Sequence, residues 1–246
     1  MTSPPRSLDA PARPRWGLGD ALAGWGVAQV SVLVLGGLIL AAAGYSTQEL
    51  ADDEVPLSIL SLQYPPMWLG FVGVPIWAAA TKGGGWIRDF RVRISALDVP
   101  VATTVGVAAQ FIVVPLVSLP VLWLSGTDLE ELGEPARALG EKATSPGGIV
   151  VLFLMVAVGA PVAEELFFRG LVLRSFEKRI GTAWAVVASS VFFGATHFQA
   201  LQFPALTAAG VIFALLVVRT GRLGPAIVAH MAFNAVTVAN VVWGAS

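Results

Sequence analysis

Two histidines, His197 and His230, lie in separate long apolar stretches of the chain. A third apolar stretch carries two adjacent carboxylates, Glu164 and Glu165. An ionisable side chain in a membrane helix costs roughly 3 kcal/mol on insertion scales, so such residues usually bind, transport or catalyse. Because the four residues belong to three segments, a helix bundle could bring them together. We interpret them as parts of an active site within the bilayer.

The composition predicts a membrane protein. The 246 residues are 56% hydrophobic and only 13% charged, whereas charged residues make up about 25% of soluble domains. Apolar stretches of about 18 residues or more indicate transmembrane helices. We therefore expect an all-α, polytopic bundle of about seven helices in the cell membrane, spanning about 21–44, 61–81, 101–125, 148–170, 182–199, 204–219 and 224–243.

Charge and cysteine content exclude several functions. The net charge of −1 offers no basic surface to neutralise phosphates, so we expect no nucleic-acid partner. The absence of cysteine excludes thiol nucleophiles, disulfides and cysteine zinc sites. The expected partners are the lipid bilayer and a peptide or lipidated protein substrate.

The distribution of charge predicts an orientation and three regions. Connections rich in Lys and Arg, such as 82–93, alternate with acidic ones, and basic connections favour the cytoplasm. The N-terminus is therefore expected inside. We divide the chain into a basic, Pro/Arg-rich arm (1–19), N-terminal transmembrane helices with polar loops (20–144) and a catalytic transmembrane core (145–246). Within the second region, 128–143 should form a polar surface helix capped by Thr127 or Asp128.

The first motif is Glu-Glu-Leu-Phe-Phe-Arg-Gly at 164–170. Glu165 and Arg169 are four residues apart and share a helix face, which gives Glu165 a countercharge. Glu164 points about 100° away and has no such partner. We therefore expect Glu164 to be the reactive carboxylate and Glu165 a positioning group, although both could simply form the polar end of a span. Pro161, just before them, should kink the helix and free backbone carbonyls.

The second and third motifs each contain a histidine. Phe193 and His197 lie four residues apart, so the phenyl ring can pack against the imidazole and fix its rotamer. His230 and Asn234 also share a face, and both can donate hydrogen bonds to a developing negative charge. A satisfied core histidine and a hydrogen-bonded helix contact are the simpler alternatives.

In this order, Glu-Glu-x-x-x-Arg, Phe-x-x-x-His and His-x-x-x-Asn resemble the motifs of the CPBP family of intramembrane proteases, over about residues 145–243. That family includes CAAX prenyl endopeptidases and bacteriocin-processing or immunity proteins, and was once called the abortive-infection family. The resemblance implies intramembrane hydrolysis of a peptide bond in a CAAX-type prenylated protein or a leader peptide.

The resemblance also implies residue roles. Glu164 would activate water, and His197 would help to hold it. His230 and Asn234 would bind the oxyanion, with Glu165, Arg169 and Phe193 in support.

The sequence leaves the cofactor open between zinc and none. Glu164, His197 and His230 could hold a catalytic zinc whose bound water has a pKa of about 7. A buried glutamate could instead act as a general base without metal. The zincin motif His-Glu-x-x-His is absent, and we favour the metal-free version slightly.

Two other functions remain open from the sequence. A transporter or proton relay would also use buried Glu and His, but the paired repeats typical of transporters are not found. A non-catalytic immunity or scaffold protein could keep the motifs. Gly17-Leu18-Gly19-Asp20 matches an aspartyl-protease motif but has no second intramembrane aspartate to share a proton.

The predicted topology contains one conflict. His197 follows the preceding basic connection by about 16 residues, or roughly 24 Å of helix. It should then lie closer to the outer surface than Glu164 does. A tilted or partly re-entrant hairpin would correct this depth.

Overall fold

The computed structural model describes residues 14–51 and 54–244, so most of the predicted basic arm lies outside the described residues. The predicted all-α class is confirmed, since the described ranges contain helices and no strand. The helices are α1 (Leu18–Ala42), α2 (Thr47–Ala51), α3 (Leu57–Ser61), α4 (64–82), α5 (Trp86–Asp89), α6 (Asp98–Ser125), α7 (Leu129–Glu141), α8 (Pro146–Ala195), α9 (Phe203–Thr220) and α10 (Gly224–Trp243).

Five of these helices, α1, α6, α8, α9 and α10, are long and apolar enough to cross a membrane. The predicted number of about seven spans is not confirmed. The predicted spans 148–170 and 182–199 both fall within α8. The predicted span 61–81 corresponds to α4, which is not among the five and includes Pro65, Pro66 and Pro75.

Helix α8 changes direction at Gly181. This glycine has φ 76° and ψ 166°, in the left-handed half of φ space that glycine occupies at little cost. Residues on the two sides of the break contact each other: the rings of Phe168 and Phe193 lie 5.1 Å apart, edge to face. The two parts of α8 therefore pack together.

The segment with the two glutamates lies between two π-helical turns. Residues Phe153–Gly159 and Leu166–Val172 are π-helical, and the α-helical turn Ala160–Glu165 separates them. Wider turns of this kind occur often at functional sites. Every residue of Leu166–Val172 is buried, so this part of α8 runs through the centre of the protein.

Glycines allow close approach of the helices around α8. A Cβ at Gly106 of α6 would collide with the carbonyl oxygen of Ala229 in α10, and one at Gly70 of α4 would collide with the backbone of α1 at Gly24. Small residues at such crossings let membrane helices pack backbone to backbone. The position of α10, which carries His230, thus depends on α6.

Helix α7 is the polar helix that the sequence predicted. Asp128 is its cap, because Asp128 Oδ1 accepts a hydrogen bond from the Glu131 backbone N–H at 3.0 Å. Thr127 instead has its hydroxyl 2.6 Å from the Ser125 hydroxyl. The Gln202 side chain donates to the Leu132 carbonyl at 2.8 Å, which attaches α7 to the start of α9.

Candidate active site

The predicted pair of Glu165 and Arg169 lies in the buried interior. Arg169 Nη1 is 2.9 Å from Glu165 Oε1, and the two side chains are 1% and 0% exposed. His230 Nδ1 lies 2.9 Å from the same oxygen. Glu165 thus joins the first motif on α8 to the third motif on α10.

Arg169 is held from two further sides. Its Nη2 donates to the Gly210 carbonyl of α9 at 3.0 Å, and its guanidinium lies over the Phe193 ring at 4.5 Å. A buried guanidinium requires such partners because its five donors lose water on folding. Arg169 therefore connects both parts of α8 with α9.

Glu164 points in a different direction from Glu165, as the helical geometry predicted. Its side chain is 14% exposed and lines a cavity of about 440 Å³. Its Oε2 lies 3.8 Å from His230 Nε2, which is beyond hydrogen-bond distance. Of the two carboxylates, Glu164 is the one that a molecule in this cavity can reach.

His197 lies in the connection between α8 and α9, outside the membrane-spanning helices, and lines the same cavity. Its Nδ1 is 2.8 Å from the Phe193 carbonyl oxygen. A carbonyl can only accept, so Nδ1 carries the hydrogen and Nε2 keeps its lone pair. The Phe193 ring packs edge-on against the imidazole at 4.9 Å. Burial lowers the pKa of His197, which favours this neutral form.

Asn234 also lines the cavity, and its orientation follows from Pro161. The Ala160 N–H bonds five residues back, to Met155. In that register the next donor would be residue 161, but proline has no N–H. The carbonyl of Val156 accepts instead from Asn234 Nδ2, at 2.8 Å. Pro161 thus leaves the Val156 carbonyl without a helical partner, as the sequence predicted for a carbonyl near this proline. That carbonyl fixes the side-chain amide of Asn234 on α10.

The structure brings Glu164, His197 and Asn234 to one cavity, whereas His230 lies behind it. The His230 side chain is 4% exposed, and its ring stacks on Phe213 at 4.6 Å. Its nearest polar neighbours are the two glutamates. The position of His230 suits an action on Glu164 better than direct contact with a substrate.

The expected difference in depth between Glu164 and His197 is not found. The predicted fourth span ends at residue 170, but α8 continues to the break at Gly181. Gly181 follows Glu164 by 17 residues and precedes His197 by 16. Since the two parts of α8 pack together around this break, both side chains reach the same cavity.

Several polar residues of the cavity were missed by the sequence analysis: Gln63, Tyr64, Gln199, Gln202 and Thr237. No spacing pattern marks them, and the only available signal is that they are polar residues beside or within apolar stretches. Helix α7 also contributes to the wall, through Pro135, Ala136 and Leu139. The predicted surface helix therefore covers part of the cavity.

The side chains do not form the metal site that the sequence left open. Within 14–51 and 54–244, no three His, Asp or Glu side chains are grouped so that they could hold a metal ion. Nδ1 of His197 faces the Phe193 carbonyl, and Nδ1 of His230 faces Glu165. The set of Glu164, His197 and His230 is thus not supported as a zinc site.

A comparison with protein families identifies the part of the chain that carries this site. Residues 146–236 match the family model described as "Type II CAAX prenyl endopeptidase Rce1-like". The predicted family resemblance is confirmed. The matched segment runs from α8 into α10 and contains all three motifs.

One curated relative supports the same assignment. The chain is 29% identical over 86 residues to the protein named "Putative membrane peptidase YdiL" of Bacillus subtilis (strain 168). The alignment covers 35% of this chain and 35% of that protein, so the chain spans about a third of the length of this relative. No solved structure matches.

Proposed function

We propose that this protein is an intramembrane endopeptidase of the cell membrane, which hydrolyses a peptide bond by means of a water activated by Glu164. The observation that carries the proposal is the shared cavity of Glu164, His197 and Asn234, with a buried ion pair behind it. The Rce1-like match and the apolar helices support a membrane peptidase.

The attacking water would lie between Glu164 and His197. The Glu164 carboxylate can accept one hydrogen of the water, and the lone pair on His197 Nε2 can accept the other. Both hydrogens then point into the protein, and the oxygen lone pairs face the scissile carbonyl. Such an orientation lowers the barrier by fixing the reacting atoms in place. Glu164 is the base because it is the cavity carboxylate.

Asn234 is the proposed donor to the oxyanion. One N–H of its amide is used by the Val156 carbonyl, which fixes the side chain and leaves the other N–H for the developing negative charge. Attack of water forms the new C–O bond as Glu164 takes the proton. Transfer of that proton to the amide nitrogen then breaks the C–N bond and releases the amine.

His230 is proposed to position Glu164. Its ring lies between the two carboxylates, with Nδ1 2.9 Å from Glu165 Oε1 and Nε2 3.8 Å from Glu164 Oε2. Glu165 is in turn held by Arg169, so His230 connects the base to the buried ion pair. We therefore place His230 behind the base, and give it the oxyanion contact only if the side chain moves toward the cavity.

The cavity suits an extended peptide. Gln63, Gln199, Gln202 and Thr237 offer amide and hydroxyl groups along walls that are otherwise largely apolar. Backbone groups of a peptide inside a membrane need such partners. The Rce1-like match favours a CAAX-type prenylated substrate, and a leader peptide is the second substrate class to be tested.

The test is cleavage in proteoliposomes of a panel of prenylated CAAX peptides and leader peptides, read by mass spectrometry. We expect Glu164→Gln to lose at least about 10³-fold in turnover, because an amide cannot take the proton. Glu177→Gln is the matched control, since Glu177 lies on the exposed face of the same helix. If wild-type protein cleaves no peptide but moves protons or cations, the proposal is wrong and the transporter alternative holds.

Metal dependence is tested in the same assay. Activity that persists after exhaustive chelation, with metal content below stoichiometry, supports the metal-free mechanism. If chelation abolishes cleavage and zinc alone restores it, the assignment of Glu164 as a metal-independent base is wrong.

A further inference from the structure

A second cavity lies away from the Glu164 site and is rich in arginine. It has a volume of about 390 Å³ and is formed where α5, the 90–97 connection and the turn after α9 meet. We call it the arginine cleft; it is lined by Ile87, Arg88, Arg91, Arg93, Thr220, Gly221 and Arg222.

The cleft has an excess of positive charge. Arg222 is neutralised by Asp98, to which it makes two contacts of 2.6 and 2.8 Å. Arg88 has only a 4.0 Å contact to Asp89. For Arg91 and Arg93 no acidic partner is found among residues 14–51 and 54–244. The open cleft therefore presents guanidinium groups whose charge the protein does not balance.

The backbone of the cleft is held in place by the end of the helix bundle. The carbonyl of Arg91, a residue at φ 52°, accepts the Leu223 N–H at 3.1 Å. A Cβ at Gly224 would collide with the carbonyl oxygen of Arg93. The arginines thus project from a connection that is packed against the start of α10, so the cleft is formed before any ligand binds.

Exposed apolar side chains lie beside the cleft. Ile94 and Leu97 are 56% and 77% exposed, and Ile87 of the cleft itself is 55% exposed. The same region contains the end of α9 at Thr220 and the start of α6 at Asp98. Exposed apolar side chains next to arginines at the ends of apolar helices are typical of the headgroup region.

We propose that the arginine cleft binds the phosphate group of an anionic phospholipid. Guanidinium groups form paired hydrogen bonds with phosphate oxygens, and anionic lipids attract basic residues beside membrane helices. The apolar rim at Ile87, Ile94 and Leu97 provides the surface along which acyl chains extend. This site is independent of the proposed peptidase activity.

The test measures lipid retention by native mass spectrometry of the full chain in detergent, titrated with phosphatidylglycerol or phosphatidylcholine. We expect wild-type protein to prefer phosphatidylglycerol. The variant Arg91→Gln/Arg93→Gln should weaken that binding roughly 25-fold, at about fivefold for each charge. The matched control, Arg179→Gln/Arg219→Gln, removes the same charge from exposed arginines outside the cleft.

The proposal is supported if the cleft variant alone loses phosphatidylglycerol. Equal losses in the two variants would show general attraction and overturn it. A thermal-shift experiment compares inorganic phosphate with phosphatidylglycerol as the ligand of the cleft. If inorganic phosphate stabilises the protein as strongly as the lipid does, the assignment to a phospholipid is overturned. If the double variant does not fold, Arg93→Gln alone is judged by the same criterion, with an expected loss of about fivefold.

Discussion

Replacing Arg169 by methionine tests the central claim about the interior of this protein, that a buried ion pair holds the two glutamates in place. The substitution removes the 2.9 Å contact to Glu165, the hydrogen bond to the Gly210 carbonyl and the stacking on Phe193. It leaves the Glu165 carboxylate, which is fully buried, with His230 as its remaining partner. Loss of one member of a buried pair costs about 3–5 kcal/mol, and we expect a loss of stability in that range.

The double variant Glu165→Met/Arg169→Met should recover part of this loss. It removes both charges, although His230 Nδ1 then loses its acceptor. We expect the double variant to be at least ~2 kcal/mol more stable than the sum of the single effects, which is the coupling that contacting residues show. Reversible unfolding in mixed micelles, followed by tryptophan fluorescence, measures the stability of Arg169→Met, of Glu165→Met and of the double variant.

An exposed pair supplies the control for this cycle. Arg137 and Glu134 form a contact of 3.1 Å on α7, with side chains 37% and 66% exposed. Pairs in such positions contribute little, so Glu134→Met should leave the unfolding midpoint nearly unchanged. If Arg169→Met costs less than about 1 kcal/mol, or if the effects at Glu165 and Arg169 simply add, the pair does not hold the site together.

Four further outcomes are expected. Asn234→Ala should lower kcat about 10²-fold or more through loss of an oxyanion donor, whereas Tyr64→Phe, which removes a cavity hydroxyl, should lower it only about fivefold with unchanged stability. Burial lowers the pKa of His197, so the unfolded chain takes up the proton first. As the pH falls below 6.5, the unfolding free energy of wild-type protein should therefore decrease more than that of His197→Gln. Equal pH profiles of the unfolding free energy would contradict this. Gly106→Ala forces α6 away from α10 and should lower both the melting temperature and turnover, whereas Gly37→Ala, with open space around it, should not.

The fold class and the three motifs could be read from the sequence because both depend on local patterns. Apolar length predicts membrane helices, and a spacing of four residues puts Glu165 beside Arg169. These local patterns do not predict which motifs contact each other. The contact of His230 with Glu165 crosses 65 residues of sequence and depends on the packing of α8 against α10.

The sequence predicts that membrane-spanning helices are present, but it does not predict their number as well. A window of apolar residues cannot show that 148–170 and 182–199 belong to one helix interrupted by a glycine with positive φ. The same limit produced the apparent conflict in depth, because the end of the fourth span was placed at residue 170 instead of the break at Gly181. The polar cavity residues at the start of α4 were missed for another reason, since Gln63 and Tyr64 belong to no motif.

The residues proposed to break the peptide bond and some of those that shape the cavity lie in different parts of the chain. All the groups assigned to bond breaking lie within the Rce1-like residues 146–236. The cavity wall, however, also includes Gln63, just before α4, Tyr64 at its start, and Ala136 and Leu139 from α7, which all precede that segment. A side chain there can change which peptide fits without altering the position of the activated water. Substitutions at Ala136 should therefore change the ranking of substrates and leave turnover of the smallest substrate intact, whereas substitutions at Glu164 or Asn234 should affect all substrates alike.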